Sequence, residues 1–171
     1  MSSQRYSPVE LLTAAHNVDE FDCGSQRETL WLRRHGLSTQ NSGTSRVYVV
    51  RRQSDDQVVG FHALATGAAL PLEAPGRVMK GVGSYPISVI ILTRLGVDLS
   101  EQGQRLGRSL LGDALQRVNA AADIVGVRAL VIHTANEQAR GFCLGVAEFE
   151  ASPTDPLHLF VLIKDLRRSL G

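Results

Sequence analysis

Cysteine is scarce in this 171-residue chain: Cys23 and Cys143 are its two. Two thiols cannot form a disulfide framework, and they suit a reducing cytosol. No apolar run reaches membrane-spanning length, and the opening Met1-Ser2-Ser3-Gln4-Arg5 is not followed by the apolar core of a secretory leader. A cytoplasmic protein without a membrane partner is therefore expected. Internal repeats and low-complexity tails are missing as well. No cluster of His, Cys, Asp and Glu has metal-ligand spacing, so no metal is expected. No serine or cysteine lies in a recognisable nucleophile motif. The net charge is only +1, which says little about partners.

What is present is an ordinary globular composition, 43% apolar and 20% charged, long enough for a substantial core and one domain spanning residues 1–171. Charge is uneven along it. Between Arg27 and Arg52 lie Arg27, Arg33, Arg34, Arg46, Arg51 and Arg52 against one acid, Glu28. Such a stretch is either a face for a polyanion or simply a solvated surface.

The chain is organised around residues 87–125. An apolar run, 87–97, precedes a polar turn, 98–107. A helical pattern follows, with Leu106, Leu110, Leu111, Ala114, Leu115, Val118 and Ala122 at three- and four-residue spacing. Strand, glycine-bearing turn and helix together make an anion site, because the first turn of a helix offers free N–H groups and the positive end of its dipole. An ordinary strand-to-helix connection is the plainer alternative.

Elsewhere the sequence reads in short elements. Residues 7–10 are a helix start or an extended lead-in. Ser25 caps a helix, with Glu28 three residues on, and Gly36 ends it. Residues 40–45 read as a loop. Arg46–Arg51 and 58–66 read as strands around a turn at 54–56. Residues 70–85 are an irregular connection or a short helix. Strand 129–133, helix 136–144, a proline-bounded turn to Pro156 and a closing strand 158–164 complete the chain. Trp31 reads as core or dimer contact, and His133 and His158 as structural residues of apolar strands rather than general bases. Asn136 caps its helix, contacts a coenzyme, or both. The class is α/β: a mixed α+β fold with a central twisted sheet flanked by helices.

These motifs resemble a known family over nearly the whole chain. The turn Gln102-Gly103-Gln104-Arg105-Leu106-Gly107 is similar to the Q-x-x-G-x-G/A of the GNAT superfamily of acetyl-CoA-dependent N-acetyltransferases. Phe21-Asp22-Cys23-Gly24, Trp31-Leu32-Arg33-Arg34, Ser42-Gly43-Thr44-Ser45-Arg46-Val47-Tyr48-Val49, Glu73-Ala74-Pro75-Gly76-Arg77 and Ser152-Pro153-Thr154-Asp155-Pro156-Leu157-His158-Leu159 resemble its TacT/AtaT-type toxin branch. The resemblance implies a mostly antiparallel sheet splayed at the coenzyme site. It implies acetyl-CoA held along Leu95, Gly96 and Val97 and on Gln102, Gly103, Gln104, Arg105, Leu106, Gly107 and Arg108, with Asn136 nearby. It implies acetylation of the primary amine of aminoacyl-tRNA, which blocks translation, with Arg33, Arg34, Arg46 and Arg77 on the tRNA face. A ribbon-helix-helix antitoxin and a homodimer are implied in the same way.

Two departures from the family pattern matter. The family's proton-donating tyrosine falls on Cys143, or on Leu144 in an alternative alignment, within Ala139-Arg140-Gly141-Phe142-Cys143-Leu144. A thiol can donate a proton but positions it poorly. Arg105 stands where the family has glycine. It keeps its N–H and adds a guanidinium, at a cost of roughly 1 kcal/mol if positive φ is required. The readings left open are an active tRNA-acetylating toxin, a degenerate relative that retains coenzyme or antitoxin binding, and an acetyltransferase for small amines or proteins.

Overall fold

The computed structural model describes residues 4–170. Met1, Ser2 and Ser3 of the stretch read for a leader, and Gly171, lie outside the described residues. Seven strands form one sheet in the order β1-β2-β3-β4-β5-β7-β6. They are β1 Glu10–Leu11, β2 Arg46–Arg51, β3 Val58–Ala69, β4 Ile87–Val97, β5 Ala129–His133, β6 Glu150–Ala151 and β7 His158–Leu162. β1 with β2, β2 with β3, β5 with β7 and β6 with β7 pair antiparallel, whereas β4 and β5 pair in parallel. The expected mixed class and mostly antiparallel sheet are observed. The helices are α1 Gln26–Trp31, α2 Leu37–Ser42, α3 Gly76–Met79, α4 Leu106–Ala122, α5 Glu137–Leu144 and α6 Ile163–Leu170. Among the described residues no helix is long and apolar enough to cross a membrane.

Close contacts divide the chain into two compact units, residues 1–64 with 94–113, and residues 65–93 with 114–171. The first has a core of Leu12, Phe21, Leu32, Val47, Val49, Val58, Phe61 and Ala63. A second cluster in it joins Val50, Val59, Leu106 and Leu110 to the half-buried Leu95 and Val97. In this way the first turns of α4 and the end of β4 are fixed by the same apolar contacts. The second unit buries Ala69, Val78, Val89, Val131, Phe160 and Leu162.

Several expectations are corrected. Gly36 does not end the first helix. The helix widens into one π-type turn over Leu32–Gly36 and continues as α2. Gly36 is small because a Cβ there would lie 3.2 Å from Leu32 and 3.3 Å from Leu12. Gly43 is the true stop, at φ +78°, with its N–H donated to the Gln40 carbonyl. Residues 40–42 are thus helical rather than loop. β3 runs three residues past the expected end, to Ala69. The closing strand stops at Leu162 and becomes α6, which periodicity alone did not separate from the strand. The lead-in at residues 7–10 is extended: Ser7 N–H donates to the Arg51 carbonyl.

Candidate functional site

The turn after β4 is built as the sequence suggests, with added struts. Asp98 caps the short 3-10 segment Leu99–Glu101, accepting from Ser100 N–H at 3.0 Å and Ser100 Oγ at 2.6 Å. Its other oxygen accepts from Asp22 N–H at 2.9 Å. Gln102 Nε2 donates to the carbonyls of Cys23 and Val97, both at 3.0 Å. The side chain of the motif glutamine is therefore a tie between the turn, the strand end and the loop before α1. Gly96 in this strand is close-packed: a Cβ would lie 3.0 Å from Phe61 and 3.2 Å from Cys23 Sγ.

Gly103 sits at φ +83° and Arg105 at φ +64°. The turn does demand the left-handed backbone where arginine replaces glycine. Arg105 still serves as the first acceptor of α4, taking Ser109 N–H at 3.2 Å. Among the described residues, the N–H groups of Leu106, Gly107 and Arg108 have no recorded acceptor, as expected of a first helical turn. Arg105, Gly107 and Arg108 are exposed or half-exposed around them. Free donors, the helix dipole and two guanidinium groups suit a pyrophosphate. Arg105→Gly is expected to be more stable than Arg105→Ala by about 1 kcal/mol, because only glycine adopts this φ without strain. Thermal melting of the two variants checks it.

Glu101 was missed by the sequence reading. Its side chain is 1% exposed within an otherwise exposed turn. Arg5 grips it at 2.7 and 2.9 Å, and Arg52 approaches at 3.4 Å. The hydrogen bonds from Arg5 are the main cause that holds its carboxyl down at about 2. Asp165 is likewise held at about 2, chiefly by Arg77. A lowered carboxylate stabilises the fold fully above its ordinary value, and that contribution is lost as pH falls toward the folded value. Stability is therefore expected to fall between about pH 4.5 and 2. Urea midpoints across that range should show a shallower slope for Glu101→Gln. No local pattern could reveal Glu101, since its partner Arg5 lies 96 residues away.

The arginine-rich stretch is sorted by the structure. Arg51 pairs with Glu10 and Asp56, and Arg52 with Asp55 and Glu101. Arg33 and Arg34 are exposed on the π-type turn, with no ion pair recorded among the described residues. Among the described residues Arg46, on β2 of the same unit, has one hydrogen bond, to the Gln40 carbonyl at 3.4 Å. Arg77 belongs to the second unit, where Asp165 holds it at 2.9 and 3.0 Å. Among the described residues, three of the four arginines assigned to tRNA thus have no ion pair, and Arg77 is committed to Asp165. Trp31 stacks on Phe61 at 6.0 Å with Arg94 over its ring at 4.8 Å, so it belongs to the core.

In the second unit Asn136 caps α5, accepting Ala139 N–H at 2.9 Å. Cys143 is buried, and burial pushes its thiol up to about 11. Leu144 is 38% exposed on the same helix. His133 and His158 face each other across β5 and β7, with ring centroids 3.9 Å apart. His133 is exposed, because it ends its strand rather than lying within the apolar run. No group of three or more His, Cys, Asp or Glu among the described residues is placed to hold a metal ion.

A mostly antiparallel sheet in which β4 and β5 pair in parallel, a glycine-bearing turn after β4 and a long helix beyond it are the features of the GNAT class of acetyltransferase fold. No protein-family model matches the chain. A tRNA-acetylating toxin of Mycobacterium tuberculosis (strain ATCC 25618 / H37Rv) is 43% identical over 97% of this chain and 98% of its own. A probable toxin TacT of Sinorhizobium fredii is 27% identical over 91% of this chain and 90% of its own. The solved structure of AtaT complexed with acetyl-methionyl-tRNAfMet superposes with a TM-score of 0.86 at 26% identity, covering 97% of this chain and 99% of AtaT. The chain belongs to the family of tRNA-acetylating toxins. A tyrosine-to-phenylalanine mutant of AtaT has also been solved with acetyl-CoA and the C-terminus of the antitoxin AtaR.

Proposed function

We propose that this chain transfers acetyl from acetyl-CoA to the primary amine of an aminoacyl-tRNA, and thereby removes that tRNA from translation. The observation that carries this reading is 43% identity, over nearly both full lengths, to a tRNA-acetylating toxin. The coenzyme would lie along Leu95, Gly96 and Val97 and place its phosphates on residues 102–108, with Asn136 free to add a contact beyond its cap. Arg33, Arg34 and Arg46 would meet the tRNA backbone, and Arg77 would do so only by sharing Asp165. We read residues 1–171 as one domain working in the cytoplasm, since β3 and β4 run through both compact units. A mutant of AtaT has been solved with the C-terminus of the antitoxin AtaR. By that precedent an antitoxin is the expected partner here; its ribbon-helix-helix class and a homodimer of this chain are proposed on the family resemblance alone.

The chemistry asks little of the protein. An α-amino group has a pKa near 8, so part of it is already the neutral nucleophile at pH 7. The protein must align that amine with the thioester and steady the oxyanion. Cys143 is assigned the proton-donor position, but with its thiol near 11 its proton moves uphill to a thiolate of ordinary pKa by a factor of more than about 100. The buried thiol favours a second reading, a weakened relative that still binds coenzyme or antitoxin.

Transfer of labelled acetyl from acetyl-CoA to a pool of charged tRNAs tests both, with the natural chain, Cys143→Tyr and Leu144→Tyr. Label on charged tRNA from the natural chain is the expected result. Label from a tyrosine variant alone means an inactivated toxin with an intact substrate site. Tight coenzyme binding without transfer to tRNA by any of them rejects the proposal.

A further inference from the structure

Glu101 is a buried carboxylate immediately before Gln102, at the entry to the turn proposed for the pyrophosphate. Burying an ion pair does little for stability by itself, since a well-packed apolar side chain in the same slot does as well or better. What a forked ion pair adds is one fixed geometry for the chain that carries it. At Glu101 that chain is the turn. Residues 102–105 are held from before by Glu101 and Gln102, and from after by the buried Leu106. No side-chain partner of Gln104 or Arg105 is recorded among the described residues.

The fork comes from Arg5, on an N-terminal strap that is itself tied down. Ser7 N–H donates to the Arg51 carbonyl, Arg51 N–H to Ser7 Oγ and Gln53 N–H to the Arg5 carbonyl, each at 2.9 Å. Tyr6 packs against the cluster of Val50, Val59, Leu106 and Leu110, and the Arg5 guanidinium carbon lies 5.8 Å from its ring centre. From this base Arg5 donates from Nε to Glu101 Oε1 at 2.7 Å and from Nη2 to Oε2 at 2.9 Å. Arg52 adds a weaker hold, 3.0 Å to Ser100 Oγ and 3.4 Å to Glu101 Oε2. All of these residues belong to the first unit. The Arg5 side chain is 56% exposed, so its removal opens no cavity in the core.

We infer that Arg5 is a positioning residue of the coenzyme site: through its forked hold on Glu101 it fixes the turn whose N–H groups would meet the pyrophosphate. This rests on the placement of the coenzyme on residues 102–108 given above. Without Arg5, Arg52 at 3.4 Å is the one cation recorded beside the carboxylate among the described residues. A charge left underpaired in a buried slot moves out to water. Glu101 is bonded to Gln102, so the turn is drawn with it and its donors lose their alignment. The loss of one hydrogen bond to a charged phosphate is worth about tenfold or more in affinity.

The test is calorimetric titration of the full chain with coenzyme A, at a temperature where every variant is fully folded. Natural protein is compared with Arg5→Ala, Arg5→Lys, and Arg5→Ala combined with Glu101→Leu. Arg5→Ala should weaken coenzyme A binding about tenfold. Arg5→Lys keeps the charge but loses the fork, and should fall between Arg5→Ala and the natural chain. Glu101→Leu in the alanine background fills the buried slot without a charge, and should bring affinity back to within about threefold of natural. A role in stability alone would lower the melting temperature and leave the affinity of the folded protein unchanged. Affinity of Arg5→Ala within about twofold of natural therefore overturns the inference while the coenzyme reading stands. An equal loss in the double variant would mean that Arg5 meets the coenzyme itself, and overturns a role acting through Glu101. No binding of coenzyme A by the natural chain overturns both the inference and the donor site.

Discussion

Arg33→Glu combined with Arg34→Glu is expected to cut acetyl transfer to charged tRNA at least a hundredfold while leaving acetyl-CoA affinity within about twofold. Each hydrogen bond to a charged group is worth about 1.5–3 kcal/mol, and losing two of them is a loss of about a hundredfold or more. Reversal adds repulsion from the phosphates, so charge removal to glutamine should cost less than reversal to glutamate. The two side chains lie on the outward face of the π-type turn, while Leu32 and Gly36 on the inward face are buried. Their replacement therefore touches no core contact, and melting temperature should hardly move. Salt provides the control. Apparent tRNA affinity should fall with salt more gently in the variant, by about one unit of log–log slope for each phosphate that is no longer neutralised. A variant that acetylates a small amine as well as the parent, where neither yields a tRNA product, would remove the tRNA reading and favour a small-amine enzyme.

How much of this was legible in the sequence differs by the kind of signal. β2, β4, β5, α4 and α5 were readable at their observed ends, because their periodicity is bounded by turn or cap residues such as Asp98 and Asn136. The cap by Ser25 was readable too: its side chain accepts from Glu28 N–H at 3.4 Å. The reciprocal half of that capping box is not used, since Glu28 turns to Arg94 at 3.2 Å. Gly36 misled because a glycine serves either a stop or a close packing contact, and one sequence does not tell them apart. The motif raised positive φ at Arg105 as a condition, which the backbone meets, whereas the bidentate clasp on Glu101 depends on a partner 96 residues away. Cys143 could be placed opposite the family tyrosine from sequence, but only the fold turns its thiol into the interior. His133 shows a related limit: an apolar run marks a buried strand, yet its last residue emerges from it.

The largest expected loss of stability is at Leu110. Leu110 is fully buried and lies in the cluster with Val50, Val59 and Leu106 that also supports Leu95 and Val97. Leu110→Ala removes buried methyl groups and leaves a cavity, and such changes cost about 3 kcal/mol, within a range of 2–5. Gly60 on β3 fits the same space from the other side: a Cβ there would lie 2.8 Å from Leu110 Cδ1 and 2.9 Å from Val50 Cγ1. Gly60→Ala is therefore an overpacking change, expected to cost about 1–3 kcal/mol. In the double variant the new methyl occupies part of the space that leucine vacates. Its loss should be smaller than the sum of the two by about 1 kcal/mol or more, since neighbours that share a cavity do not add. Urea midpoints at constant slope measure all three. Strict additivity would mean that β3 or the first turns of α4 shift to relieve the contact. Coenzyme affinity would then change along with stability, because Leu95, Val97 and Leu106 rest on the same cluster.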